Sequence, residues 1–201
     1  EGKVKVGLSP HAPYSVSPPL LKRLAEWARA EGLPLMVHAA ESPEEVAFLA
    51  RGEGPLREVY GRFAKTPWTP PGTTPVRHLH ALGVLGPTTL LVHGVQVDEE
   101  EVGLLAETGT KVVLCPRSNA NLEVGEAPLA LYAKHGVELA LGTDSRGSSP
   151  DPDVKNEARF LWGRAEPRLL VRALTRGGYR ALGLPTPRLT RGTPLSLVHF
   201  L

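Results

Sequence analysis

Two hydrophobic rhythms alternate along the chain. Short continuous apolar runs, VKVGLS (4–9), LPLMVHA (33–39), TLLVHGV (89–95), KVVLCP (111–116) and ELALGTD (138–144), read as strands. Between them lie stretches whose apolar residues recur three and four apart, the signature of helices with one buried face. These are 17–32, 42–51, a short segment after Pro75, 98–109 and 128–135, followed by 154–162 and 166–175. The tail LTRGTPLSLVHFL reads as a strand after a turn. Strands that are apolar throughout are buried on both faces, and helices between successive strands make those strands parallel. The pattern therefore predicts an α/β fold.

The helix ends carry their own signals. Ser17 is placed to cap the first helix, with Pro18 and Pro19 in its first turn and Gly32 at its end. Ser42 with Glu45, and Asp98 with Glu101, have capping-box spacing. The connection 52–74, rich in Gly, Pro and Thr, is too long for a tight turn and shows no assignable element. Internal repeats and low-complexity segments are absent.

Polar residues gather where the apolar runs stop. His11 follows the first run, His38 the second, His93 the third, Cys115 and Asn119 the fourth, and Asp144 the fifth. Parallel α/β sheets and barrels place their active sites at this C-terminal end. A lone histidine on an apolar run is ordinarily a satisfied core residue, so the argument rests on several such groups converging. Imidazoles and a carboxylate in one cleft suit a first-row divalent metal, zinc or iron, which lowers the pKa of a bound water toward neutrality. Glu41, three residues past His38, is placed to pass a proton to a leaving group; the plainer reading is a solvated loop carboxylate.

Composition removes alternatives. With 201 residues, 41% of them hydrophobic, the chain can fill one sizeable core. Lys and Arg total 23 against 21 Asp and Glu, and no basic cluster is interleaved with aromatics, so a nucleic-acid partner is not expected. No apolar stretch approaches ~18 residues, so no membrane span is expected, and EGKVKVGLSP lacks signal-peptide architecture. The single cysteine, Cys115, excludes an internal disulfide and fits a reducing cytoplasm. It follows an apolar strand with no base beside it in sequence, which marks a buried structural thiol and not a nucleophile. Arg exceeding Lys, with abundant Pro and few Asn and Gln, suits a thermophile or a GC-rich genome.

Taken in order, SPHAPYS, VHAAE, LLVHG, CPRSNANLEVG and LGTDS resemble the strand-end motifs of the amidohydrolase superfamily, in its cytosine deaminase-like and S-adenosylhomocysteine deaminase-like branch. The resemblance covers nearly the whole chain and implies a (β/α)8 TIM barrel with one catalytic divalent metal, zinc or iron. By position, His38 and Asp144 correspond to metal ligands on barrel strands five and eight. His93, on strand six, corresponds to the residue that hydrogen-bonds the attacking water. Glu41 corresponds to the acid that protonates the ring nitrogen, and Asp144 also to the group that takes the water's proton. His11 corresponds to a substrate-contacting histidine at strand four. Ser118 and Asn119 match a turn after strand seven with a structural role, and Ser145 a loop cap. The implied reaction is hydrolysis of a C–N bond of a heterocycle, namely deamination of an aminopurine nucleoside-like substrate of the aminodeoxyfutalosine or S-adenosylhomocysteine/adenosine type. A chlorohydrolase-type reaction on a triazine or pyrimidine, and a non-catalytic half-barrel, are the alternatives. Arg57 or Arg62 could clamp a substrate carboxylate, solvated surface charge being the plainer reading.

One departure from the family is large. Its first strand carries an H-x-H pair of metal ligands, and this chain has none in that place. His78 and His80 have the spacing but follow Pro75 in a helical pattern, where residues two apart point about 200° from each other. They are expected at the surface or partly buried. With 4–9 as strand four, residues 1–188 form the C-terminal portion of a barrel and 189–201 belong to a small composite β-domain. The N-terminal barrel half, on the same or a separate chain, is then an expected partner, and a homo-oligomer is compatible. No role falls to His135 or His199.

Overall fold

The computed structural model describes residues 6–64 and 68–186. The expected terminal strand at 189–201 and the first residues of the 4–9 run lie outside them.

Four parallel strands form one sheet in chain order: β1 (Leu35–Ala39), β2 (Thr89–His93), β3 (Lys111–Leu114) and β4 (Leu139–Leu141). The register aligns Leu35 with Thr89, Leu90 with Lys111 and Val112 with Leu139. Residues 8–11 extend the sheet beyond β1. Leu8 donates to the Pro34 carbonyl and accepts from Met36, both at 2.8 Å, and the His11 carbonyl accepts from His38 N–H at 2.9 Å. The run expected as a strand is thus present as a parallel bridge between Leu8 and Leu35.

Helices follow the strands as the apolar rhythm requires. They are α1 (Pro18–Glu31), α2 (Pro43–Arg51), α3 (Pro55–Phe63), α4 (Pro75–Ala81), α5 (Glu99–Thr108), α6 (Pro116–Asn121) and α7 (Leu129–His135). After β4 come α8 (Val154–Phe160) and α9 (Pro167–Arg172), which runs through a π turn at Ala173–Gly177 into α10 (Gly178–Ala181). That π turn presses on β4: a Cβ at Gly177 would sit 2.0 Å from the Leu139 carbonyl oxygen, so only glycine fits. Asp98 and Glu101 form the full reciprocal capping box, whereas the Ser17 side chain makes no cap bond.

Two helices were not legible in sequence. Within 52–74, α3 places Leu56, Val59, Tyr60 and Phe63 at i, i+3, i+4 and i+7, a helical stripe hidden between Gly, Pro and Thr. The segment with Ser118 and Asn119, expected as a turn, is the short helix α6.

The core lies between the sheet and the helices, around Leu21, Leu35, Val37, Leu79, Leu91, Leu105, Val112 and Tyr132. Along β1, Leu35, Val37 and Ala39 point into it, while Met36 and His38 point to the other face and are less covered. The sheet thus covers its helix side and offers the opposite face at its C-terminal end.

Candidate active site

Three strand ends bring His38, His93 and Asp144 together. One ligand atom from each lies within 4.8 Å of the others. A tetrahedral ion with bonds of about 2.1 Å needs donors about 3.5 Å apart, so small side-chain rotations would fit the set to a divalent metal.

The surroundings decide which atoms face that point. His38 Nδ1 lies 2.8 Å from the His11 carbonyl. A carbonyl only accepts, so Nδ1 carries the proton and Nε2 keeps its lone pair for a ligand. His93 Nδ1 likewise donates to Asn119 Oδ1 at 2.9 Å. Its Nε2 lies 3.6 Å from Glu41 Oε1. With Nδ1–H committed, His93 turns its Nε2 lone pair toward the carboxylate, and a water or a cation between the two would satisfy both. Asp144 Oδ2 accepts from Ser118 Oγ at 2.7 Å and Ser148 Oγ at 2.6 Å, leaving Oδ1 for the site. Burial opposes its charge, but these two hydroxyls, the Ser145 amide and His93 outweigh it and hold its pKa below the usual range.

The backbone is strained at these points. His93 has φ 76° and Asp144 φ 60°, both in the left-handed region that non-glycine residues rarely occupy. Register pairs His93 with Ala39, whose side chain faces the helices, yet the His93 ring centroid lies 5.6 Å from that of His38 on the other face. The strand alternation therefore ends at His93. Such conformations cost about 1–3 kcal/mol each and persist where the surroundings enforce them. Here Asn119 and the two serines do so.

Glu41 is one-fifth exposed beside His93 and is not a freely solvated loop carboxylate. Its backbone N–H donates to Glu45 Oε2 at 2.8 Å. Glu45, read from spacing as half of a capping box, is almost completely buried, and its Oε1 has no hydrogen-bond partner. Burial pushes its carboxyl up to about 8, against the hydrogen bonds from the turn's amides. Sequence reasoning gave Glu45 and Ser148 no place at the site, since neither sits at a strand end. Glu157, fully buried, accepts from the Arg117 backbone N–H at 3.0 Å and thereby anchors the start of α6, which carries Ser118 and Asn119.

His11 lies beside His38 at a ring-centroid distance of 5.4 Å. The Ser15 hydroxyl donates to the Ala12 carbonyl at 3.2 Å and so accepts from His11 Nδ1–H at 2.6 Å. All three site histidines thus keep Nε2 available. Cys115 is buried, and burial, with the charge of Asp144, pushes its thiol pKa up, which suits a structural thiol. The α4 helix holds His78 buried and His80 exposed, so the pair does not chelate. Arg57 bonds the Gly52 carbonyl at 3.0 Å, away from any clamp. Among the described residues, no helix is long and apolar enough to cross a membrane.

Comparison with known proteins identifies the family and the fold. The amidohydrolase family profile matches residues 1–200. The aminodeoxyfutalosine deaminase of Deinococcus radiodurans is 42% identical over 205 residues, covering 94% of this chain and 48% of that protein. An adenosine deaminase from Xanthomonas campestris, solved with bound zinc, superposes with TM-score 0.74 at 30% identity over 91% of this chain and 40% of its own. The aminofutalosine deaminase of Helicobacter pylori superposes with TM-score 0.80 at 25% identity, covering 92% and 48% respectively. The chain therefore has part of the TIM-barrel fold and spans about half the length of the curated relative.

Proposed function

This chain belongs to the amidohydrolase family, and on that premise we propose that it forms the proton-transferring part of a deaminase acting on adenosine-like nucleosides. His38 Nε2 and Asp144 Oδ1 would hold a divalent metal, zinc by preference, with the remaining ligands supplied by a barrel portion outside this chain. That ion would supply an acidified water at neutral pH. Glu41 protonates the ring nitrogen next to the carbon bearing the amine, which makes that carbon more electrophilic. His93 Nε2 holds the attacking oxygen, and Asp144 takes its proton. The amine then leaves the tetrahedral carbon as ammonia with the proton that Asp144 took, while the new hydroxyl becomes a carbonyl and returns its proton to Glu41. His11 contacts the substrate beside the reacting ring. The reading places the enzyme in the cytoplasm, in keeping with its single buried thiol.

The convergence of His38, His93 and Asp144 next to Glu41 supports this reading most directly. The test is ammonia release by the full-length, metal-loaded protein from aminodeoxyfutalosine, S-adenosylhomocysteine, adenosine and a chlorotriazine. Ammonia from a nucleoside is expected, with Glu41→Gln lowering kcat by about 10²–10⁴. Chloride release would assign the hydrolase to another leaving group. No turnover of any substrate by the metal-loaded protein would leave a non-catalytic barrel.

A further inference from the structure

Two glutamates occupy the third helical position behind an N-cap, Glu45 in α2 and Glu101 in α5, and both are almost completely buried. They use their carboxyl groups differently. Glu101 closes its own box: Oε2 accepts from the Asp98 N–H at 3.0 Å, and Oε1 accepts from the Thr74 hydroxyl, with Arg77 at 3.5 Å. Glu45 reaches past the Ser42 cap to the residue before it, where Oε2 accepts from the Glu41 N–H at 2.8 Å. Its Oε1 has no partner. An orphaned buried oxygen lowers stability, so capping α2 does not by itself account for a carboxyl at this place.

We propose that Glu45 is a positioning residue for the proton transfer, fixing the peptide that carries Glu41 so that the Glu41 carboxyl stays beside His93. The proposal rests on the deaminase reading above.

The turn that bears Glu41 is gripped from two sides. On one, the Ala40 carbonyl accepts from the Val95 and Gln96 N–H groups, both at 2.8 Å, and the Ala39 carbonyl from Gly94 N–H at 3.2 Å. Those donors directly follow His93, so the turn is tied to the strand end that presents it. On the other, the Ala40, Glu41 and Ser42 amides face the Glu45 carboxyl. Ala40 has φ 54°, a left-handed conformation that alanine rarely adopts, so the turn needs both grips to keep its shape. With carbonyls and amides both committed, the Glu41 side chain leaves the turn in one direction and its Oε1 lies 3.6 Å from His93 Nε2. Displacing a reacting group by about 1 Å costs about 10²-fold in rate.

Glu45 does this as a neutral acid. Burial raises its carboxyl to about 8, and since Oε2 accepts, the proton stands on Oε1. No second negative charge then lies against Glu41, and glutamine, with a carbonyl in the place of Oε2, has the same shape and the same acceptor.

The test uses the full-length, zinc-loaded protein with Glu45→Ala, Glu45→Gln and Glu101→Ala, the last removing the equivalent buried glutamate from a helix that carries no site residue. Ammonia release from adenosine, Tm, zinc content and hydrogen–deuterium exchange of residues 37–45 are measured on each. Glu45→Ala should lower kcat about 10–100-fold with KM within threefold and zinc unchanged, and should speed exchange in 37–45. Glu45→Gln should recover most of the lost kcat and the protection. Glu101→Ala should lower Tm with kcat within threefold. Should Glu45→Ala fail to fold, Glu45→Asp, one methylene short of the Glu41 amide, takes its place. An unaltered kcat in Glu45→Ala, or an equal loss in Glu101→Ala, overturns the proposal and leaves Glu45 a helix cap alone. A loss in Glu45→Gln as large as in Glu45→Ala also overturns it, since the carboxyl itself would then be needed. Exchange that follows the expected pattern in a protein that releases no ammonia would uphold the grip on Glu41 and refute deamination.

Discussion

At the strand ends, the candidate catalytic side chains are held by polar groups from other elements. In the 52–74 connection, by contrast, the aromatic side chains hold one another. His38 leans on the His11 carbonyl, His93 on Asn119, Asp144 on Ser118 and Ser148, and the Glu41 backbone on Glu45. In the connection, Trp68 stacks on Phe48 of α2, Tyr60 lies tilted against both, and α3 buries no residue fully. The difference is one of precision. Directional polar partners on a rigid sheet supply the set geometry that proton transfer needs, whereas ring contacts tolerate looser placement.

The largest effect expected on this contrast comes from the sheet side. His38→Ala or Asp144→Asn should abolish stoichiometric zinc in the purified full-length protein, read by elemental analysis; full retention in both would remove these residues from the ligand set. Asn119→Ala comes next. It frees the His93 ring without touching the reacting groups, and loss of such an orienting partner typically costs 10–100-fold. The drop should appear in kcat with zinc content unchanged, and an unaltered kcat would leave Asn119 with helix structure alone.

Glu45→Gln should act on stability. The folded protein holds the Glu45 proton up to about pH 8, whereas the unfolded chain releases it near 4.3. Wild-type stability from this group is therefore full below about pH 4.3 and is lost as pH rises through about 8. The amide cannot ionise, so the variant should gain Tm relative to wild type between pH 5 and pH 8. A pH-independent difference would show that Glu45 keeps an ordinary pKa. The smallest effect belongs to the connection. Arg57→Ala removes a bond to a loop carbonyl and should leave KM within twofold; a tenfold rise would restore Arg57 as a carboxylate clamp.

The parallel α/β class was legible because buried strands are apolar throughout and helices repeat at 3.6, and both periods are local. The site residues were legible because His38, His93 and Asp144 interrupt apolar runs at equivalent ends. The α3 helix escaped because its stripe is short and framed by turn residues, and the role of Glu45 because spacing alone reads it as a cap.

The sequence by itself determined which strands exist, where they end and which ionisable groups stand there, since each follows from residue type and period along a few neighbouring positions. Only the tertiary structure decided that His93 turns toward His38 through a left-handed backbone. It also decided that Ser148 holds Asp144 and Asn119 holds His93, and that an aromatic slot opens beside His11. Those outcomes depend on contacts between residues 4 to 55 positions apart, and only packing of the folded chain brings such groups within hydrogen-bond or van der Waals reach.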